Sequence, residues 1–375
     1  MIEKGKISAF QMASLVYLWV LATAVLTIPG ITAKFAERDM WLSPIFGSLI
    51  GFLTVFIMCQ LHKYYPNQTI IQYSERILGK IPGKALGFIF LFLIFHSDIL
   101  IVRDYGEFIA TAFLTKTPLM VIMGSLVLIC AFTVRSGLEA VGRTANVILP
   151  FYIFLLVLIM VLLIQDMYPK HMFPMMENGL LPPLMGAALP QTWFSQSFLI
   201  SMLLPFLTDP EKGMKWGMFS ILAITLTLMA TNLTILFLYG AKTTADITYP
   251  LMSAARHISI AHFFEHLEAI VMAIWVTGIF IKLSLFYYVL VLGVAQWLNL
   301  SDYKQLVLPF GFISAVGGLW AAPSLQDMNH FLTNIYPFYG TLISTVFPGL
   351  MLLVAVIRKK LMGADEDSNL VDNRT

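Results

Sequence analysis

Apolar residues occur along this chain in long runs, separated by short segments that carry most of the charged and turn-forming residues. A helix needs ~20 apolar residues to cross the ~30 Å hydrocarbon core of a bilayer. Several runs reach that length, so the pattern predicts an all-α polytopic membrane protein with ten transmembrane helices. The predicted spans are 8–35, 41–62, 83–114, 118–134, 142–165, 187–208, 214–240, 262–297, 304–323 and 334–358.

The first span is longer than one crossing requires, and Pro29 lies inside it. A proline removes a backbone hydrogen bond, and backbone groups freed in a membrane need protein or water partners. One interpretation is a broken helix whose free backbone groups hold a small ligand. The alternative is a proline-kinked span whose threonines bond back to their own helix. The candidate ligand-binding residues here are Ala22, Thr23, Ala24, Val25 and Leu26.

Features of the first five spans recur in the second five. The first and sixth spans begin at 8 and 187, and the third and eighth at 83 and 262, an offset of 179 residues in both pairs. Because five is odd, the second half would enter the membrane from the opposite side, which makes the repeat inverted. We therefore predict one membrane domain of two five-helix halves, 1–165 and 187–358, followed by a polar cytoplasmic tail, 359–375.

The repeat predicts a second broken helix in the sixth span, where polar residues cluster inside an apolar run. In that interpretation the segment 194–201 loosens and faces the first helix. Free N–H groups and half-helix N-termini would then receive a ligand carboxylate. The alternative is that these polar groups only join helices to one another. The candidate ligand-binding residues of this span are Phe194, Gln196, Ser197 and Phe198.

Ionisable residues inside predicted spans are costly, so each is a candidate functional group. Arg103 and Glu107 stand one helical turn apart and can pair on one face. Asp98 lies deeper, and with Ser97 it could face the ligand. There it could carry a proton or neutralise a nearby cation.

Lys282 stands alone in the eighth span, with no acidic residue one turn to either side. Its ammonium could take the place where related transporters hold a sodium ion against the first helix, as a tethered cation. The alternatives are an interior lysine bonded to backbone carbonyls, and a pair with Asp98.

Composition narrows the function classes. Hydrophobic residues make up 58% of the chain and charged residues only 12%, about half the charged fraction of a soluble domain. The net charge is +2, and no basic stripe or zinc-ligand spacing is present, so neither a nucleic-acid partner nor a metal site is predicted. No HExxH or GxSxG motif occurs, and we predict neither enzymatic activity nor a cofactor.

Lysine and arginine set the predicted orientation. If both termini are cytoplasmic, fifteen of these residues lie on the inner side and six on the outer side. This bias favours cytoplasmic termini.

Taken together, these residues resemble the B subunits of bacterial spore germinant receptors, within the amino acid–polyamine–organocation superfamily. The resemblance covers essentially the whole chain. The residues that carry it are Leu26-Thr27-Ile28-Pro29, Arg103 with Glu107 and Thr117-Pro118, Tyr249-Pro250, and Glu265 and Glu268 before Trp275.

The resemblance implies a LeuT-like 5+5 inverted repeat with broken helices 1 and 6. It also implies a sensor of small nutrients, commonly amino acids, in the spore inner membrane beside A and C subunits. The family's ligand site maps onto Ala22 through Leu26, Leu93, Ser97, Gln196 through Phe198, and Lys282. Ala22-Thr23-Ala24 stand where such proteins often have glycines, which implies a smaller or different ligand.

Two function classes stay open. In the first the protein is a receptor, and ligand closure of the two broken helices is passed to partner subunits. In the second it is an amino acid permease that works by alternating access, either proton-coupled or ion-independent. Fold alone does not separate them.

Overall fold

The computed structural model describes residues 2–258, 268–322 and 324–372, and helices make up nearly all of this part of the chain. The helices are α1 (Ala9–Ala36), α2 (Ser43–Tyr64), α3 (Ile70–Leu78), α4 (Lys80–Ala112), α5 (Leu119–Arg135), α6 (Leu138–Leu162), α7 (Leu181–Gly186), α8 (Ala188–Ser195), α9 (Ile200–Leu203), α10 (Gly213–Asp246), α11 (Pro250–His257), α12 (Glu268–Trp297), α13 (Lys304–Trp320), α14 (Leu325–Asn334), α15 (Tyr336–Thr341) and α16 (Phe347–Asp372).

Seven helical segments of the described chain are long and apolar enough to cross a membrane, and α5 is a shorter apolar helix. The protein is therefore a multi-pass integral membrane protein. The other two predicted spans correspond to α13 and to the sixth span, which is made of α8, α9 and short 3₁₀ segments. The structure is therefore consistent with ten spans. α16 continues the last span through the predicted tail as far as Asp372. Glu265, which contributed to the resemblance, lies outside the described residues, as does the side chain of Glu268.

The first helix is not broken. α1 runs from Ala9 to Ala36 with Pro29 inside it, which corrects the predicted interruption at 22–26. Threonines support the helix on both sides of the proline: the Thr27 hydroxyl donates to the carbonyl of Thr23 at 3.2 Å, and the Thr32 hydroxyl donates to that of Ile28 at 2.8 Å. Threonine side chains often bond back to helix carbonyls in this way. The outcome matches the alternative in which the threonines bond to their own helix.

The sixth span, in contrast, is interrupted where expected. α8 ends at Ser195, a 3₁₀ segment covers Gln196–Leu199, and α9 is only one turn long before a second 3₁₀ segment at Leu204–Phe206. Mid-helix 3₁₀ segments have strained hydrogen-bond geometry and often mark functional hinges. The regular α-helix therefore ends within the predicted segment 194–201, while the backbone there stays helical. That this segment loosens stays a prediction.

α1 occupies the centre of the molecule, packed against α10, α12 and α6, and most of its side chains are buried on every face. A helix that is apolar all round belongs inside a bundle. Gly278 of α12 allows a close approach to α1, because a Cβ there would lie 3.2 Å from the Cα of Ala22. This packing aligns one polar stripe of α1 with Lys282, one turn further along α12.

The segment before α1 is held in place by hydrogen bonds to the buried carboxylate of Glu3. Glu3 accepts hydrogen bonds from the hydroxyls of Tyr303 at 2.9 Å and Tyr288 at 3.2 Å, and from the N–H of Leu138 at 3.4 Å. Further along, the N–H of Ala9 donates to Asp209 at 2.7 Å. The N-terminal segment is thereby joined to α6, to α12 and to the loop that follows the sixth span.

Candidate functional site

A cavity lies between α1, α4, α8, α12 and the α14–α15 segment. Its inner part encloses about 50 Å³ and its outer part about 130 Å³. The inner part is lined by Thr23, Ser97, Leu100, Ile101, Asp104, Leu189, Trp193, Gln196, Lys282, Leu332 and Tyr336. The outer part shares several of these residues and adds Thr27, Gly30, Ile31, Lys34, Ala245, Asp246, Ile247, Thr248, Tyr249 and Thr333.

Each wall of the cavity is one face of a helix. Ser97, Leu100, Ile101 and Asp104 are spaced three and four residues apart on α4. Positions with that spacing lie one above another on a helix. α1 contributes a matching stripe of Thr23, Thr27, Gly30 and Lys34, and the sixth span contributes Leu189, Trp193 and Gln196.

Lys282 joins α12 to the central helix. Its side chain is 2% exposed, and its Nζ donates to the hydroxyl of Thr23 at 2.9 Å. Nζ also lies 5.8 Å from the centroid of the Phe286 ring. No acidic group of the described residues lies within 4.0 Å of this ammonium. The positive charge is therefore held against α1 and toward the cavity.

Three polar side chains form a second group on the wall. The hydroxyl oxygens of Tyr336 and Ser97 are 2.8 Å apart, and Nε2 of Gln196 donates to the Tyr336 hydroxyl at 3.3 Å. The Oε1 of Gln196 is buried and has no hydrogen-bond partner within the described chain. Because a buried polar atom without a partner is costly, this acceptor is suited to a ligand that donates a hydrogen bond.

The charged residues of α4 point in different directions. Arg103 forms an ion pair with Glu107 at 2.6 Å and donates to the carbonyl of Leu319 at 3.2 Å, so the predicted pairing is confirmed. Asp104, one position along, is half-buried and lines both parts of the cavity. No hydrogen bond or ion pair to its carboxylate occurs among the described residues.

Asp98 lies on another side of α4. Its carboxylate is fully buried, and Oδ2 accepts a hydrogen bond from the Ser314 hydroxyl of α13 at 2.5 Å. It does not line the cavity, and it does not pair with Lys282. The alternative that joined these two residues is therefore wrong.

Four of the candidate residues come together at the inner cavity: Thr23, Ser97, Gln196 and Lys282. The others are buried in helix packing instead. Phe198 stacks on Phe90 with ring centroids 6.3 Å apart, and Phe194 packs against Gly51, where a Cβ would lie 3.0 Å away. The remaining members of this packed set are Ala22, Ala24, Val25, Leu26, Leu93 and Ser197.

Asp104, Trp193 and Tyr336 line the cavity and are not among the residues predicted from the sequence. Helical spacing could have found the first two, since Asp104 follows Ser97 by two turns and Trp193 precedes Gln196 by one. Tyr336 comes from a segment far along the chain, and no local pattern connects it with α4 or the sixth span.

The outer cavity is bounded by the segment between α10 and α11. Gly30 of α1 approaches this segment so closely that a Cβ there would lie 2.7 Å from the carbonyl oxygen of Ile247. Tyr249 packs edge-on against Phe108, with ring centroids 5.2 Å apart. Burial raises the pKa of Tyr249, and the negative charges of Asp104 and Glu107 add to the effect. Its hydroxyl therefore stays protonated at neutral pH.

Two solved structures share this fold. A Na⁺-coupled sialic acid symporter, in a substrate-bound outward-open state, superposes with a TM-score of 0.65 at 11% identity, covering 94% of this chain and 90% of the other. MhsT in complex with L-phenylalanine superposes with a TM-score of 0.62 at 13% identity, covering 94% and 89%. These likenesses show a LeuT-like transporter fold.

Relatives by sequence extend over nearly the full length. Spore germination protein KB of Bacillus subtilis (strain 168) is 25% identical over 368 residues, covering 96% of each chain. The putative spore germination protein YfkT of the same organism is 26% identical over 363 residues, covering 96% of this chain and 98% of the relative. The family model described as "Spore germination protein" matches residues 6–320. The chain therefore belongs to the permease-like spore germination protein family.

Proposed function

We propose that this chain is the B subunit of a spore germinant receptor and that it senses a small nutrient, an amino acid, in the cavity between α1 and the sixth span. It acts in the spore inner membrane beside A and C subunits, with both termini in the cytoplasm. The observation that carries this proposal is the cavity at which Thr23, Ser97, Gln196 and Lys282 come together, in a member of the spore germination protein family.

The site supports sensing because its walls differ in helix geometry. α1 is one continuous helix, whereas Gln196 begins a 3₁₀ segment. A ligand that hydrogen-bonds the free Oε1 of Gln196 favours the arrangement in which this segment is drawn toward α1 and α4. Binding then shifts the population between two conformations, and the shift is passed to the partner subunits.

A second candidate function is transport of the same ligand. The shared fold with a sialic acid symporter, and with MhsT bound to L-phenylalanine, favours this alternative. Transport would proceed by alternating access, either proton-coupled or ion-independent. Net uptake of labelled amino acid by the purified chain in liposomes separates the two, because a receptor binds without accumulating solute.

The germination response of spores tests the sensing function. Spores that carry Gln196→Ala are expected to need a higher nutrient concentration for half-maximal germination, because the substitution removes the free acceptor from the cavity wall. Ser197→Ala is the matched control, since this neighbouring hydroxyl is buried outside the cavity. Identical dose-response curves for Gln196→Ala and the unsubstituted chain would contradict the placement of the site.

A further inference from the structure

The inner cavity contains two charges of opposite sign that do not pair with each other. Lys282 lies on the α12 wall and Asp104 on the α4 wall, and both line the inner cavity. No ion pair within 4.0 Å joins these two side chains. Charges removed from bulk water are costly unless each is compensated at close range. The cavity is thus matched to a ligand that brings one charge of each sign.

The positive side of the cavity is provided by a side chain and not by backbone. Because α1 is continuous, its N–H groups at 22–26 lie within helix hydrogen bonds and offer no half-helix N-terminus to an anion. The Lys282 ammonium has three N–H donors, of which one is directed at Thr23. The others are available to a ligand carboxylate.

The negative charge of the cavity also comes from a side chain, that of Asp104. Arg103, the neighbour of Asp104 in the chain, already has Glu107 as its partner at 2.6 Å. Asp104 is therefore left as an acceptor on the cavity wall. The unpartnered Oε1 of Gln196 is a second acceptor on the same cavity. An ammonium group needs acceptors of this kind.

The space between the charges limits the size of the ligand. The inner cavity encloses about 50 Å³, and one buried water takes up ~10–15 Å³ of comparable space. The rest of the lining includes Leu100, Ile101 and Trp193, which favour a small apolar side chain.

We infer that Asp104 and Lys282 recognise the two charged ends of a small free α-amino acid, with the ligand ammonium at Asp104 and the ligand carboxylate at Lys282. This rests on the proposed function, and it adds the two residues that select the charged ends of the ligand. Amino acids blocked at either end, and molecules with a single charge, leave one buried charge without a partner and are discriminated against.

Isothermal titration of the purified full-length chain with three matched compounds tests this inference. L-alanine carries both charges, propionate lacks the amine, and ethylamine lacks the carboxylate. L-alanine is expected to bind at least ~10-fold more tightly than either analogue, since a hydrogen bond to a charged group is worth more than one decade of affinity. Propionate that binds as tightly as L-alanine would overturn the assignment.

Asp104→Asn gives a result that a purely structural role would not produce. The variant is expected to lose at least ~10-fold in affinity for L-alanine. It is also expected to bind propionate more tightly than the unsubstituted chain does, because the repelling carboxylate is gone. Glu211→Gln is the control, since this exposed acid lines neither part of the cavity. Unchanged L-alanine affinity in Asp104→Asn contradicts the inference, and if this variant does not fold, the three-compound series decides alone.

The outcome also separates this inference from the proposed function. A sugar or nucleoside that binds the unsubstituted chain, and whose binding is weakened in Gln196→Ala, would retain nutrient sensing at this cavity and overturn the amino acid assignment. The absence of binding by every nutrient tested would contradict both.

Discussion

Gly30 shows how a single residue allows α1 to pack against the segment between α10 and α11. A Cβ at this position would lie 2.7 Å from the backbone oxygen of Ile247, so the outer segment cannot keep its place if the glycine is replaced. Gly30→Ala is expected to lower the free energy of unfolding by about 1–3 kcal/mol, the usual cost of overpacking. Thermal melting of the purified variant measures this loss.

The control for Gly30 is a helical glycine with open space around it. A Cβ added at Gly124 of α5 would meet nothing within 4 Å. Gly124→Ala is expected to stabilise the helix by up to ~1 kcal/mol, because alanine is the better helix former. A Gly30→Ala protein that melts like the Gly124→Ala protein would show that the outer segment moves without cost.

At the residue scale, the sequence predicts which side chains of one helix can pair, but not which neighbouring helix each side chain faces. The Arg103–Glu107 pair follows from helical spacing alone. Spacing along one helix does not show which neighbour covers each face. Asp98 therefore faces Ser314 on α13, whereas Asp104 faces the cavity, and only the packing of α4 distinguishes them.

At the element scale, the packing of α1 against α12 includes one hydrogen bond to a buried charge. Thr23→Val removes the acceptor of the Lys282 ammonium and keeps the shape of the side chain. We expect a loss of about 1.5–3 kcal/mol in the free energy of unfolding, the worth of a hydrogen bond to a charged group. Chemical denaturation in detergent measures it.

Thr27→Val is the matched control on the same stripe of α1. The Thr27 hydroxyl donates to the carbonyl of Thr23 within its own helix, so its loss is expected to cost only about 0.5–1.5 kcal/mol. Equal losses in the two variants would contradict the assignment of the α1–α12 link to Thr23.

The N-terminal segment provides a second test at this scale. Glu3→Gln removes the charge that accepts from Tyr288 and Tyr303, which weakens the attachment of the segment to α12. Faster amide hydrogen exchange is expected at residues 3–8, since exchange reports local opening. Glu211→Gln, at an exposed acid, is the control. Unchanged exchange in Glu3→Gln would show that the Ile7–Leu207 bridge holds the segment by itself.

The sequence predicted a break in both the first and the sixth span, and the structure shows why the two differ. Pro29 lies within α1 and Pro205 follows α9, yet only the sixth span contains 3₁₀ segments. The difference lies in the neighbours of each proline. Thr27 and Thr32 lie on either side of Pro29, and their hydroxyls donate hydrogen bonds to carbonyls of α1. The sixth span instead places Gln196 toward Tyr336 across the bundle, a contact that depends on tertiary packing.

At the scale of the whole molecule, the hydropathy pattern was sufficient for the fold class because membrane spans follow directly from the length of apolar runs. The division into halves at 1–165 and 187–358 stays a prediction. The site needed the structure, since its lining comes from segments as far apart as Thr23 and Tyr336. The packing of helices around α1 brings these segments together.

The Lys282 ammonium beside α1 leads to a prediction about the sodium dependence of ligand binding. Because Lys282 already brings a positive charge to Thr23, ligand binding is expected to need no sodium. Replacing sodium chloride by choline chloride should leave the ligand affinity of the purified chain unchanged. An affinity that falls in proportion to the sodium concentration would contradict the tethered-cation hypothesis.

The central claim, that the cavity between α1 and the sixth span binds the nutrient, is tested most directly by ligand-induced thermal stabilisation. The purified chain would be melted with a panel of amino acids, sugars and nucleosides, beside Gln196→Ala and Ser197→Ala. A ligand at one hundred times its dissociation constant stabilises the folded state by about 2.7 kcal/mol. We predict a shift with a small amino acid that is lost in Gln196→Ala and kept in Ser197→Ala. A shift of equal size in all three proteins would place the ligand elsewhere and contradict the account.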